Sequence, residues 1–144
     1  MADIIIRNGR VVDGTGNPWF RADIAITNGT IQAIGNLSEN ANTVIDAENR
    51  IVCPGFIDMH SHAELDADHG QDAQAFLYQG ITTVALGVDG SGGSDVTDRM
   101  GEWSRNGIGV NALLFVGHNA ARRAVIGMED RAPTNEELGE MRSF

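Results

Sequence analysis

Pro54-Gly55-Phe56-Ile57-Asp58-Met59-His60-Ser61-His62 is the stretch on which the reading of this 144-residue chain turns. Residues 56–62 read as a strand. Side chains two apart in a strand share a side. His60 and His62 then present two imidazoles together, with Asp58 one step deeper, while Ile57 and Met59 face an apolar layer. Two neutral imidazoles so spaced can ligate one divalent metal, their outer ring nitrogens oriented by nearby carboxylates. The alternative is a pair of solvated histidines at a strand end.

Upstream, residues 2–52 read as all-β. Residues 3–7 and 10–13 flank Asn8-Gly9, and residues 23–27 and 30–34 flank Asn28-Gly29. Asn-Gly between apolar runs is a strong hairpin signal, because both turn positions need φ > 0. Residues 43–46 and 50–52 suggest a last hairpin-like pair. The expectation over residues 1–53 is a small antiparallel sheet, or half of a sandwich. Gly14-Thr15-Gly16 lacks both the third glycine of a dinucleotide fingerprint and the helix that should follow, so it reads as a turn.

Downstream, residues 54–144 change to an α/β rhythm. Residues 72–78 suggest a short helix closed by Gly80, and residues 81–86 a buried, β-branched strand. Residues 94–105 suggest a helix with Ser94 as N-cap and Asn106-Gly107 as its stop. Residues 110–116 form a third apolar strand. Thr134 with Glu137 three residues later is a capping-box start for a final helix. This alternation predicts a parallel sheet with crossover helices. Gly90-Ser91-Gly92-Gly93 reads as a flexible loop, with anion cradling by backbone amides as the alternative.

Composition narrows the function classes. Ten basic residues face 20 acidic ones, for a net charge of −10. So acidic a chain repels phosphate backbones and lacks the basic patches of a membrane-surface binder. Neither nucleic acid nor membrane is an expected partner. No apolar run nears the ~18 residues of a membrane span, and no secretory signal is apparent at the N-terminus. All ten basic residues are arginine, which excludes P-loop and Schiff-base chemistry. Catalysis must use His, Asp, Glu, Arg or a metal. The single cysteine, Cys53, excludes an intramolecular disulfide framework and fits a cytoplasmic location. It reads as a small buried apolar residue.

The string from Pro54 to His62 resembles the first-strand metal motif of the amidohydrolase superfamily. Asp46-Ala47 and Arg50-Ile51-Val52 resemble the N-terminal β-sandwich segment of that family, and Gln79-Gly80-Ile81-Thr82-Thr83-Val84 its second barrel strand. Gly117-His118-Asn119-Ala120-Ala121-Arg122 is similar to a G-H-x-x-x-R stretch of the N-acyl-D-amino-acid deacylase branch. Asp13-Gly14-Thr15-Gly16, Trp103 and Met128-Glu129-Asp130-Arg131-Ala132-Pro133 fit that branch too.

The resemblance implies an α/β fold: an N-terminal β-sandwich segment, then the first three βα units of a metal-dependent (β/α)8 barrel. It implies one or two divalent ions, zinc in particular, with His60 and His62 as ligands. It implies further ligands and a catalytic Asp beyond Phe144, so that the chain is the N-terminal portion of a longer protein. Where deacylases often place a metal-binding cysteine after the second strand, this chain has Asp89. Asp89 is either a ligand or an Asp-Gly turn former. His118 is a candidate for polarising the scissile carbonyl, or a structural histidine. Arg122 is a candidate for gripping a substrate carboxylate, or a surface arginine paired with Glu129 or Asp130. The implied substrate is a small N-acylated D-amino acid. The alternatives are a cyclic-amide hydrolase of the dihydroorotase or hydantoinase kind, and an inactive fragment.

Overall fold

The computed structural model describes residues 1–66, 68–90, 92–93 and 95–144. Ser94, expected as an N-cap, and Ser91 of the glycine-rich loop lie outside them. The chain divides into two compact units, Met1–Pro54 and Gly55–Phe144.

The first unit is a five-stranded sheet of β1 (Ala2–Val11), β2 (Phe20–Thr27), β3 (Thr30–Gly35), β4 (Ala41–Asp46) and β5 (Ile51–Val52). Asn28-Gly29 makes the expected two-residue turn, with φ of 51° and 70°, between paired Thr27 and Thr30. Asn8-Gly9 does not turn the chain. Ile6 pairs with Ile24 and Gly9 with Ala22, so β1 carries one extra residue there, a β-bulge with Asn8 at φ 58°. The Asn8 N–H donates to Asp23 Oδ1 at 3.0 Å, and its side chain to Asp46 Oδ1 at 3.0 Å, which holds the bulge.

The expected hairpin of residues 43–46 with 50–52 is also absent. Both segments run parallel to β1 along one edge, so the sheet is mixed rather than antiparallel. The residues between them kink outward, with Glu48 and Asn49 at positive φ, and the Asn49 N–H donates to the Asn8 carbonyl at 3.0 Å. The interruption thus answers the bulge in β1. Cys53 is exposed, not buried. It borders an apolar groove lined by Ile6, Val11, Ile24, Ile26 and Val52, and no second layer covers that face among the described residues of the unit.

The second unit holds β6 (Phe56–Asp58), β7 (Ile81–Leu86) and β8 (Asn111–Leu114) in one parallel sheet, order β6-β7-β8. Helices α1 (Gln74–Leu77), α2 (Val96–Asn106), α3 (His118–Ile126) and α4 (Asn135–Met141) follow the strands. Leu65, Val84, Leu86, Trp103 and Val110 form the core, with Trp103 the buried residue of α2. Thr134 and Glu137 complete the capping box of α4.

The first strand is shorter than expected. It ends at Asp58 because Asp58 Oδ1 accepts the His60 N–H at 3.2 Å, which draws that donor from the ladder. The chain stays extended beyond it. The Ser61 N–H donates to the Ala85 carbonyl at 2.9 Å, and Ser61, Ala63 and Leu65 are buried while His60, His62 and Glu64 are exposed. The third strand is shorter too, ending at Leu114, and His118 opens α3.

Candidate metal centre

The carboxyl ends of neighbouring parallel strands deliver the candidate residues to one rim, where loops rather than the sheet decide chemistry. His60 and His62 lie just past β6, and Asp89 lies in the loop after β7. His60 Nε2 is 2.7 Å from Asp89 Oδ1, and His62 Nε2 is 2.8 Å from Asp89 Oδ2. The two imidazole rings stand 5.6 Å apart, tilted by 39°. One carboxylate thus bridges two imidazoles. One donor atom from each of the three residues lies within 4.8 Å of the others.

This donor set fits a divalent ion. Zinc takes imidazole nitrogen and carboxylate oxygen at about 2.0–2.2 Å in a tetrahedron. Its ligand atoms then lie about 3.3 Å apart, a spacing that falls between the short histidine–carboxylate contacts and the 4.8 Å within which the three donors are gathered. All three side chains are exposed, at 62%, 69% and 42%. That leaves room for a further ligand or a substrate.

Local sequence explains the convergence. The alternation that buries Ser61, Ala63 and Leu65 forces His60 and His62 to the other side. Asp66 fastens the end of this segment, accepting from the Arg99 guanidinium and the Trp103 indole N–H of α2. The Arg99 hydrogen bond first, and that of Trp103 with it, hold the Asp66 carboxyl below its ordinary range. On the other loop, Gly87 turns the chain out of β7 at φ 80°. A Cβ there would lie 2.4 Å from the Phe115 carbonyl oxygen, so no other residue fits. Sequence reasoning missed this glycine. Its signal was a glycine directly after an apolar run, repeated as Gly117 after residues 110–116.

His118 is exposed at the start of α3 and is not one of the three gathered donors. Arg122 pairs with neither the Glu129 nor the Asp130 carboxylate. Its Nη2 donates to the backbone carbonyls of Glu129 at 2.8 Å and Arg131 at 2.7 Å, which ties α3 to the loop that follows it. Arg131 in turn reaches the carboxylates of Glu129 and Glu137, each at 2.6 Å.

The sequence matches the family model described as "Amidohydrolase family" over residues 43–135. It is 32% identical to a D-aminoacylase of Alcaligenes xylosoxydans xylosoxydans, over 99% of this chain and 34% of that protein. A shorter match, 43% identical over 58% of this chain and 14% of the relative, joins it to an adenine deaminase of Bacillus velezensis. Among solved structures, the N-acyl-D-glutamate deacylase of Bordetella bronchiseptica, complexed with zinc and a phosphonate inhibitor, superposes with a TM-score of 0.89 at 32% identity. That alignment covers 99% of this chain and 35% of the deacylase. The chain therefore spans about a third of the length of its full-coverage relatives. A family match across about two thirds of the residues, and one fold shared along almost all of them, make this chain a member of the amidohydrolase family.

Proposed function

We propose that this chain is the N-terminal part of a zinc-dependent enzyme that hydrolyses N-acyl-D-amino acids to a carboxylate and a free D-amino acid. In this reading the first unit contributes to a β-sandwich, and the second supplies the first three βα units of a (β/α)8 barrel. The observation that carries the reading is the convergence of His60, His62 and Asp89 at the carboxyl ends of β6 and β7. His60 and His62 would hold the metal through Nε2, and Asp89 through its carboxylate. Bound there, one or two divalent ions would supply hydroxide at neutral pH and polarise the acyl carbonyl.

The chain's own residues do the rest of the positioning. Asp58 fixes the His60 backbone through its 3.2 Å bond, at the point where the chain leaves β6. His118, the first residue of α3 and four residues past the end of β8, is assigned to the substrate carbonyl. Arg122 holds its loop through two carbonyls, which supports a structural role rather than a grip on substrate. Asp89 in place of a thiolate makes a harder donor set and a looser hold on zinc.

Coverage favours deacylation over deamination. The D-aminoacylase match runs along 99% of the chain, and the adenine deaminase match along 58%. The D configuration follows the D-aminoacylase and the N-acyl-D-glutamate deacylase to which the chain is similar. The test uses the full-length protein, stripped of metal and reloaded with zinc. It should release amino acid from N-acetyl-D-amino acids, little from the L forms, and nothing once His60 and His62 are both alanine. Turnover of a hydantoin, or ammonia from adenine, with the N-acyl compounds untouched, would replace this reading.

A further inference from the structure

Four glycines from two loops, Gly87, Gly90 and Gly92 after β7 and Gly117 before α3, pack against one another beside Asp89 in the chain. A Cβ on Gly117 would fall 2.4 Å from the Gly92 carbonyl oxygen and 2.6 Å from that of Gly90. A Cβ on Gly92 would fall 2.8 Å from both the Gly87 Cα and the Phe115 carbonyl oxygen. These atoms are all backbone and have no rotamer to yield. The contact is pinned by one hydrogen bond, from the Asn119 N–H in the first turn of α3 to the Gly90 carbonyl at 2.9 Å. Gly90 directly follows Asp89.

From this packing we infer that Gly117 is a positioning residue of the metal centre: the bare backbone before α3 sets where the Asp89 carboxylate meets His60 and His62. The inference rests on the metal role proposed for those three residues. A methyl group at 117 displaces the segment after Asp89 and leaves every ligand chemically intact. Gly117 itself has φ −73°, which alanine adopts without strain. The cost of the substitution therefore falls on the contact and not on the backbone of residue 117.

The experiment measures zinc affinity by chelator competition, and the cobalt(II) absorption spectrum, in the full-length protein. Gly117→Ala should weaken zinc by about 10–100-fold, the range for groups that orient ligands. It should also alter the cobalt band, in a variant that far-UV circular dichroism shows to be folded. Gly139→Ala, where a Cβ meets nothing within 4 Å, is the control. Asn119→Pro removes the N–H that holds Gly90, in the first turn of α3 where proline is tolerated, and Asn119→Ala, which keeps that N–H, controls for the lost carboxamide. The proline variant should act in the same direction as Gly117→Ala, and it decides the matter if Gly117→Ala does not fold. Wild-type affinity and spectrum in the folded variants would overturn the inference. If zinc is bound equally well with His60 and His62 replaced by alanine, the metal reading itself falls, and the two failures are thereby told apart.

Discussion

The Trp103 indole N–H donates to the Asp66 carboxylate, which joins the buried residue of α2 to the end of the segment that carries His60 and His62. The bond anchors the extended stretch four residues beyond His62, where the chain has left the sheet. Trp103→Phe keeps most of the apolar contact with Leu65, Val84 and Val110 and deletes the donor. A hydrogen bond to a half-exposed charged group contributes about 1 kcal/mol. Urea unfolding should show a loss of about that size with an unchanged slope. Wild-type stability would mean that Arg99 alone suffices to hold Asp66.

The carboxyl of Glu137 is lowered to about 2, first by hydrogen bonding to the Arg131 guanidinium and then by the Thr134 N–H. A depressed folded-state pKa contributes stability that is fully present above the unfolded value, near 4.5, and is lost as pH falls through the folded one. The capping box of α4 should therefore loosen between about pH 4.5 and pH 2. Far-UV circular dichroism should record helix loss in that window, and Glu137→Gln should remove the part of the pH dependence due to this group. An identical acid profile in the variant would count against the capping network.

How far the sequence could be read depended on the range of the forces involved. The Asn28-Gly29 turn and the Thr134–Glu137 box are local devices, settled within four residues, and the structure has both. Asn8-Gly9 carries the same local signal as Asn28-Gly29, yet Asp23 and Asp46 capture the backbone and side chain of Asn8 and convert the turn to a bulge. Those partners lie 15 and 38 residues away, beyond any local pattern. The side shared by His60 and His62 was legible because alternation persists past the strand. The termination at Asp58 was not, because it depends on one carboxylate turning back onto a backbone N–H. Gly87 and Gly117 were hidden for a related reason. Their need to lack a side chain comes from backbone atoms of another loop.

Asp89 offers a direct test of ligand chemistry. Its two oxygens already face His60 Nε2 and His62 Nε2 at 2.7 and 2.8 Å. Asp89→Cys puts a softer donor at the same place, so zinc should bind more tightly and be preferred more strongly over harder ions. Asp89→Ala should lose most of its zinc, as measured by elemental analysis after dialysis. If Asp89→Ala keeps full zinc and full rate, Asp89 is only a turn former before Gly90.

The behaviour of residues 1–144 alone follows from the three-stranded sheet of the second unit. Strands β6 and β8 are its two edges, and each has one neighbour. Unpaired edges template association with other chains. Side chains along them add to this hazard: Phe56, Ile57 and Met59 from the first strand region, and Leu113, Phe115 and Val116 from the third, are all exposed. Val84 and Leu86 of the central strand are buried in the core with Leu65 and Trp103, so the exposed apolar side chains of the sheet come from its two outer strands. Exposed apolar area of this kind drives self-association. Expressed alone, the chain should be oligomeric or poorly soluble by light scattering, and it should not hydrolyse N-acetyl-D-amino acids even with added zinc. Substituting Ile57 and Leu113 by Thr, which keeps β propensity while lowering apolar area, should shift the mass distribution toward monomer. A stable wild-type monomer that turns over substrate would mean that His60, His62 and Asp89 form a sufficient catalytic site without further strands.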